Sequence, residues 1–198
     1  MNETAMPKRE LLINSAIRVF AEMGYHGSRV ADVVKEAGVA HGLFYHYFPS
    51  KEDLLICIFQ EAWMNMLSFI DKAAKSKDNP LENLRLAIRY MVKNFAVNSS
   101  LIKVLVLDVP RCAKFYEQEN QELYRSAFTS LEKIVEEGKK RKVFNKNITS
   151  SLASHLVYGA IDSIIRKYVY DPRFDPGKIN QEEIVVQVTR MLFHGLCN

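Results

Sequence analysis

Cysteine is scarce in this sequence, and its three copies, Cys57, Cys112 and Cys197, are far apart. An odd number with no pair at metal-ligand spacing excludes a disulfide scaffold and a patterned zinc site. Each fits a small apolar residue in a reducing cytosol, so a cytoplasmic protein is the expectation. Apolar runs of the roughly 20 residues that cross a bilayer are also lacking. The least charged long stretch, residues 149–165, is broken by His155 and Asp162. Met1-Asn2-Glu3-Thr4 reaches charge too early for a signal peptide, so no membrane partner is expected. A strong charge of one sign is missing too. The net charge is +4, and residues 1–51 set six Lys/Arg against five acids. Bulk charge therefore carries no argument for nucleic acid.

Catalytic signatures are equally sparse. There is no Gly-x-Gly-x-x-Gly, no Gly-Lys-Ser/Thr phosphate loop and no Glu-x-x-His pair. Ser130-Leu131-Glu132-Lys133 fits Ser-x-x-Lys, but it lies in a long amphipathic helix, where chance accounts for it. His155 and His194 lack partners at ligand spacing, which makes them core or interface residues. The expectation is no enzyme, no cofactor and no metal. A helical enzyme and a helical protein adaptor stand as alternatives from other classes, to be separated by a turnover assay and by DNA footprinting.

Helical periodicity fills the chain, and 48% hydrophobic residues supply a core. Leu12, Ala16, Val19, Phe20 and Met23 recur at one helical face, and Gly24 ends that helix. Ser28 is placed to cap a second helix with Asp32 near its positive end. A third short helix spans about 41–47. Ser50 with Asp53 opens a fourth, extending to about 74. Asn79-Pro80 starts another. That helix is predicted near 80–96, and further ones near 99–108, 112–142, 149–170 and 180–196. The basic run Lys139-Lys140-Arg141-Lys142 fits a solvated helix end.

The informative segment is 27–51. Two short helices joined at Gly38-Val39-Ala40 fit a helix-turn-helix, whose second helix enters the major groove of DNA. On that helix Phe44 and Phe48 share a core-facing side. His41, Tyr45, His46 and Tyr47 present hydroxyls and imidazoles elsewhere, an arrangement that an ordinary core helix does not explain.

Here the chain resembles the TetR family of bacterial regulators. The resemblance rests on Gly24-Tyr25, Ala37-Gly38-Val39 and, above all, the run from Gly42 to Leu55, Gly-Leu-Phe-Tyr-His-Tyr-Phe-Pro-Ser-Lys-Glu-Asp-Leu-Leu. It implies an all-α chain with a three-helix helix-turn-helix domain over 1–51. A helical ligand-binding and dimerisation domain would occupy 52–198. It further implies a homodimer on a double-stranded, palindromic operator, with repression as the default. Ser28 would cap the second helix and touch phosphate. His41 and Gly42 would meet base edges, Tyr45 and Tyr47 would bond phosphates, and Lys51 would pair with phosphate. Leu43 replaces a usual threonine and would meet sugar or a thymine methyl. His41 and Ala31 also depart from the common pattern. Arg29 would restore some charge, and His46 lies beside this face.

The last two helices are apolar on more than one side, so one side would face a partner subunit. Leu156, Ile161, Ile164, Val188 and Leu192 are the interface candidates. The middle helices carry Met66, Phe69, Tyr90, Phe95, Phe115, Tyr124 and Phe128. With Arg89 and Arg111 these are the pocket candidates for a small hydrophobic effector. The layout resembles that of family members controlling fatty-acid degradation, which implies acyl-coenzyme A; a cationic drug or an aromatic acid is the alternative.

Overall fold

The computed structural model describes residues 7–171, 173 and 180–196. Among them the regular structure is helical, with no strand. In chain order the helices are α1 (Lys8–Met23), α2 (Val30–Ala37), α3 (His41–Tyr47), α4 (Lys51–Lys75), α5 (Pro80–Val97), α6 (Ser99–Leu107), α7 (Gln118–Lys140), α8 (Ser150–Tyr170) and α9 (Gln181–Leu196). Two 3-10 turns, Val109–Arg111 and Ala113–Tyr116, separate α6 from α7. Cys197 lies outside the described residues.

The helix starts follow local chemistry. The Ser50 hydroxyl accepts from Asp53 N–H at 3.1 Å. Asn79 Oδ1 accepts from Leu81 N–H, and Asn180 Oδ1 from Glu183 N–H. Gly38, at φ 62 and ψ 36, takes the left-handed conformation that closes α2. Gly24 also has positive φ, 75, but its ψ of 150 lies outside the left-handed helical region.

Two boundaries differ from the sequence reading. The cap of α2 is Arg29, with extended backbone at φ −122 and ψ 160, and Asp32 Oδ2 accepts its N–H at 2.7 Å. Ser28 instead turns its hydroxyl back to Tyr25 O at 2.9 Å. The helix expected from 112 begins at Gln118. Pro110 cannot donate to a helical ladder, and extended backbone at Cys112 and Glu117 breaks the path twice. This detour sets Phe115 edge-on to Phe59 at 5.1 Å.

The chain forms two compact units. The first holds residues 1–61 and 100–120, and the second 62–99 and 121–198. A single cut at 51/52 does not produce this grouping, because α6 and the 3-10 turns join the N-terminal helices. In the first unit α1 packs on α2 and α2 on α3. Phe20, Phe44, Leu54, Leu55 and Phe59 are buried. In the second unit α5 packs on α8 and α9. Its core gathers Ile70, Leu84, Ile88, Val92, Leu131, Val135, Phe144, Val157 and Val185.

Candidate nucleic-acid interface

The outer face of α3 follows from its alternation. Phe44 is fully buried and Phe48 nearly so, which anchors one side to the core. His41, Gly42, Tyr45 and His46 are left exposed, with Leu43 and Tyr47 half-buried. Tyr45 is 53% exposed, and its ring lies 5.4 Å from that of His41. His46 and Tyr47 meet edge-to-face at 4.8 Å. The turn before α3 is held by the Gly38 cap. An exposed row of hydroxyl, imidazole and bare backbone at Gly42 can approach base edges and phosphates closely.

Two expected phosphate ligands are otherwise engaged. Lys51 Nζ donates to Tyr25 O at 2.6 Å and to Ser28 O at 2.7 Å. It also lies 4.2 Å from the Tyr25 ring centroid. Burial lowers its pKa, and Asp108 and Asp32 offset part of that shift. Lys51 thus ties the start of α4 to the loop before α2. Ser28 is buried, with its hydroxyl, N–H and carbonyl all bonded within the unit. Neither side chain is presented as a free phosphate ligand. Arg29 is exposed at the start of α2.

Sequence reasoning missed the support beneath this loop. Tyr25 N–H points at Asp108 Oδ1, 3.4 Å away, and Lys103 Nζ donates to Ala21 O at 2.5 Å. Burial raises the Asp108 carboxyl above its ordinary pKa, against the Tyr25 N–H and the nearby Arg111, His26 and Lys103. Lys114 pairs with Asp53, and Asn120 bonds both Gln60 and Lys114 O. These partners lie far apart in sequence, and no local pattern announces them.

The nine pocket candidates divide between the two units. Arg111 and Phe115 belong to the first unit, and the others to the second. Within the second unit Phe69 stacks on Tyr90 at 4.1 Å, and Phe95 stacks on Tyr168. Tyr124 and Phe128 meet Trp63, Tyr158 and His155. Arg89 is paired with Glu182 at 2.6 Å. Met66 packs against the core of that unit. Helical spacing shows which residues share a helix face and leaves open which faces meet.

Two interface candidates are corrected as well. Ile161 and Val188 are only 2% and 7% exposed, as core of their own unit. Ile164 and Leu192 are half-buried against the same core. Leu156 is 56% exposed, and the other exposed apolar residues on α8 and α9 are Leu152, Tyr170, Val186 and Met191.

Comparison with known proteins decides the family. The model described as bacterial regulatory proteins, tetR family, matches residues 12–58. The YsiA-like protein C-terminal region matches residues 59–195. The chain belongs to the TetR family. It is a DNA-binding transcriptional regulator, as these matches and its regulator relatives show. The fatty acid metabolism regulator protein of Bacillus subtilis (strain 168) is 31% identical over 170 residues, 85% of this chain and 88% of its own length. The fatty acid degradation regulator FadR of Bacillus halodurans superposes with a TM-score of 0.85 at 27% identity, covering 98% of both chains. FadR of Bacillus subtilis in complex with stearoyl-CoA gives 0.82 at 28% identity, over 94% of this chain and 98% of that one. As a TetR-family member, the chain has its helix-turn-helix in α2 and α3.

Proposed function

We propose that this regulator represses genes of fatty-acid metabolism and leaves its operator when it binds a long-chain acyl-coenzyme A. The observation that carries this reading is the near full-length likeness to FadR holding stearoyl-CoA. The apolar and aromatic second unit supports it, because an extended acyl chain needs such a lining. His41, Gly42, Leu43, Tyr45, His46 and Tyr47 on α3 meet the DNA, with Arg29 at the start of α2. The 52–198 region carries effector binding and dimerisation in the cytoplasm. A two-fold dimer, joined through the exposed apolar side of α8 and α9, matches a palindromic operator.

The test is release of a selected operator duplex by acyl-coenzyme A of increasing chain length, beside free coenzyme A, cationic drugs and aromatic acids. Release that strengthens with chain length is the expected result. Release by cationic drugs alone would overturn the lipid reading.

A further inference from the structure

The unit that meets DNA has the wrong sign of charge for the task. Its residues, 1–61 and 100–120, hold nine Lys/Arg and eleven Asp/Glu, a formal net of −2 with histidines neutral. Residues 62–99 and 121–198 hold 18 Lys/Arg and 12 Asp/Glu, a net of +6. DNA is a dense polyanion, and its affinity for proteins comes largely from cations that replace condensed counterions.

Most of the nine cations are already engaged. Arg9 bonds Glu61 and Cys57 and lies over Phe48, and Arg18 pairs with Glu36. Lys51 holds the Tyr25 and Ser28 carbonyls, Lys103 holds Ala21 O, and Lys114 pairs with Asp53. The seven-residue recognition helix α3 contains no Lys or Arg. What it contains is His41 and His46, both exposed, and exposed His26 sits in the loop before α2. Three of the five histidines in the chain thus lie in this short stretch.

The ring contacts of His41 and His46 are with Tyr45 and Tyr47, and that of His26 is with Tyr25. Among the described residues none of the three is in an ion pair. The charged groups on the flanking elements are Asp32, Lys35 and Glu36 of α2 and, in the first turn of α4, Lys51, Glu52 and Asp53. Asp32 accepts from Arg29 N–H, Glu36 from Arg18, Glu52 from the Cys112 thiol and Asp53 from Lys114. Asp108, beneath the loop, faces Tyr25 N–H, Arg111, His26 and Lys103.

We propose that operator binding by this protein takes up protons, with His41 and His46 of α3 becoming the cations that face the DNA. The proposal rests on the DNA-binding reading of α3. Each proton taken up by an imidazole as the phosphates close on it adds one unit to the steepness of log K against pH. With both charged, the unit turns from −2 to neutral. Affinity then rises on acidification, and protons compete with effector-driven release.

The experiment uses the full chain and a duplex that it selects from a random pool. Anisotropy titrations from pH 6.0 to 8.5 at fixed ionic strength give the slope, and calorimetry in phosphate and Tris buffers counts the protons. The expected result is affinity falling by up to about tenfold per pH unit for each histidine that gains its proton. His41→Gln and His46→Gln, which keep hydrogen bonding but cannot take charge, should each remove part of that slope while melting like wild type. Affinity that is flat with pH, equal heats in the two buffers, or a slope intact in the double variant would overturn the proposal. Failure to select any duplex at any pH would instead overturn the DNA-binding reading itself.

Discussion

Lys51 shows how a residue expected at a DNA phosphate can be held by its own fold instead. Its ammonium has three donors, and two are held by Tyr25 O and Ser28 O. Lys51→Met should therefore weaken operator binding by loosening the loop before α2, with the dependence of log K on log salt unchanged. Titrations at several salt concentrations check this. A slope shallower by about 0.9 would return the residue to the phosphate contacts. Asp53 acts through pH. The Lys114 ammonium, then the Ser50 hydroxyl, holds its carboxyl below the ordinary value. A carboxylate with a lowered folded pKa contributes stability that is present above its unfolded value, about 3.9, and is lost as pH falls through the lower folded value. Asp53→Asn should lower the melting temperature at pH 7, with the gap to wild type closing below about pH 4.

At the scale of the element, the apolar sides of α8 and α9 divide between core and surface. Val188 and Ile161 sit in the core, so Val188→Glu buries an unpaired charge and should unfold the second unit. Leu156→Glu and Met191→Glu change residues that are 56% and 79% exposed. They should leave the far-ultraviolet spectrum native and convert the proposed dimer to monomer in sedimentation; a dimer surviving both would move the interface elsewhere. Helix α7 has a different constraint. A Cβ on Gly138 would overlap the buried Phe144 ring, whose N–H bonds back to Gly138 O. Gly138→Ala should destabilise the chain by about 1–3 kcal/mol, measured by denaturant unfolding, because the ring has no room to retreat.

For the whole molecule, the proposed repression couples effector and operator through one equilibrium. If acyl-coenzyme A weakens operator affinity by some factor, operator must weaken acyl-coenzyme A affinity by the same factor. Calorimetric titration of stearoyl-CoA into free protein and into the protein–duplex complex measures both. Equal affinities in the two would separate effector binding from DNA release and sink the repressor model.

Local chemistry alone determined much of this protein. The run from Gly42 to Leu55, the Gly38 turn and the caps at Ser50, Asn79 and Asn180 act over a few residues, and such short-range signals are written in sequence order. They set the helices, the recognition face of α3 and the family. Tertiary structure decided what depends on distant partners. Lys51 became a loop tie because Tyr25 and Ser28 fold onto it. Asp108 and Lys103 came to support the α1–α2 turn from more than 80 residues away. Val188 and Ile161 went to the core while Leu156 and Met191 stayed exposed. Periodicity states that a helix has two apolar sides. Only the packing of other helices against it settles which side their own chain covers.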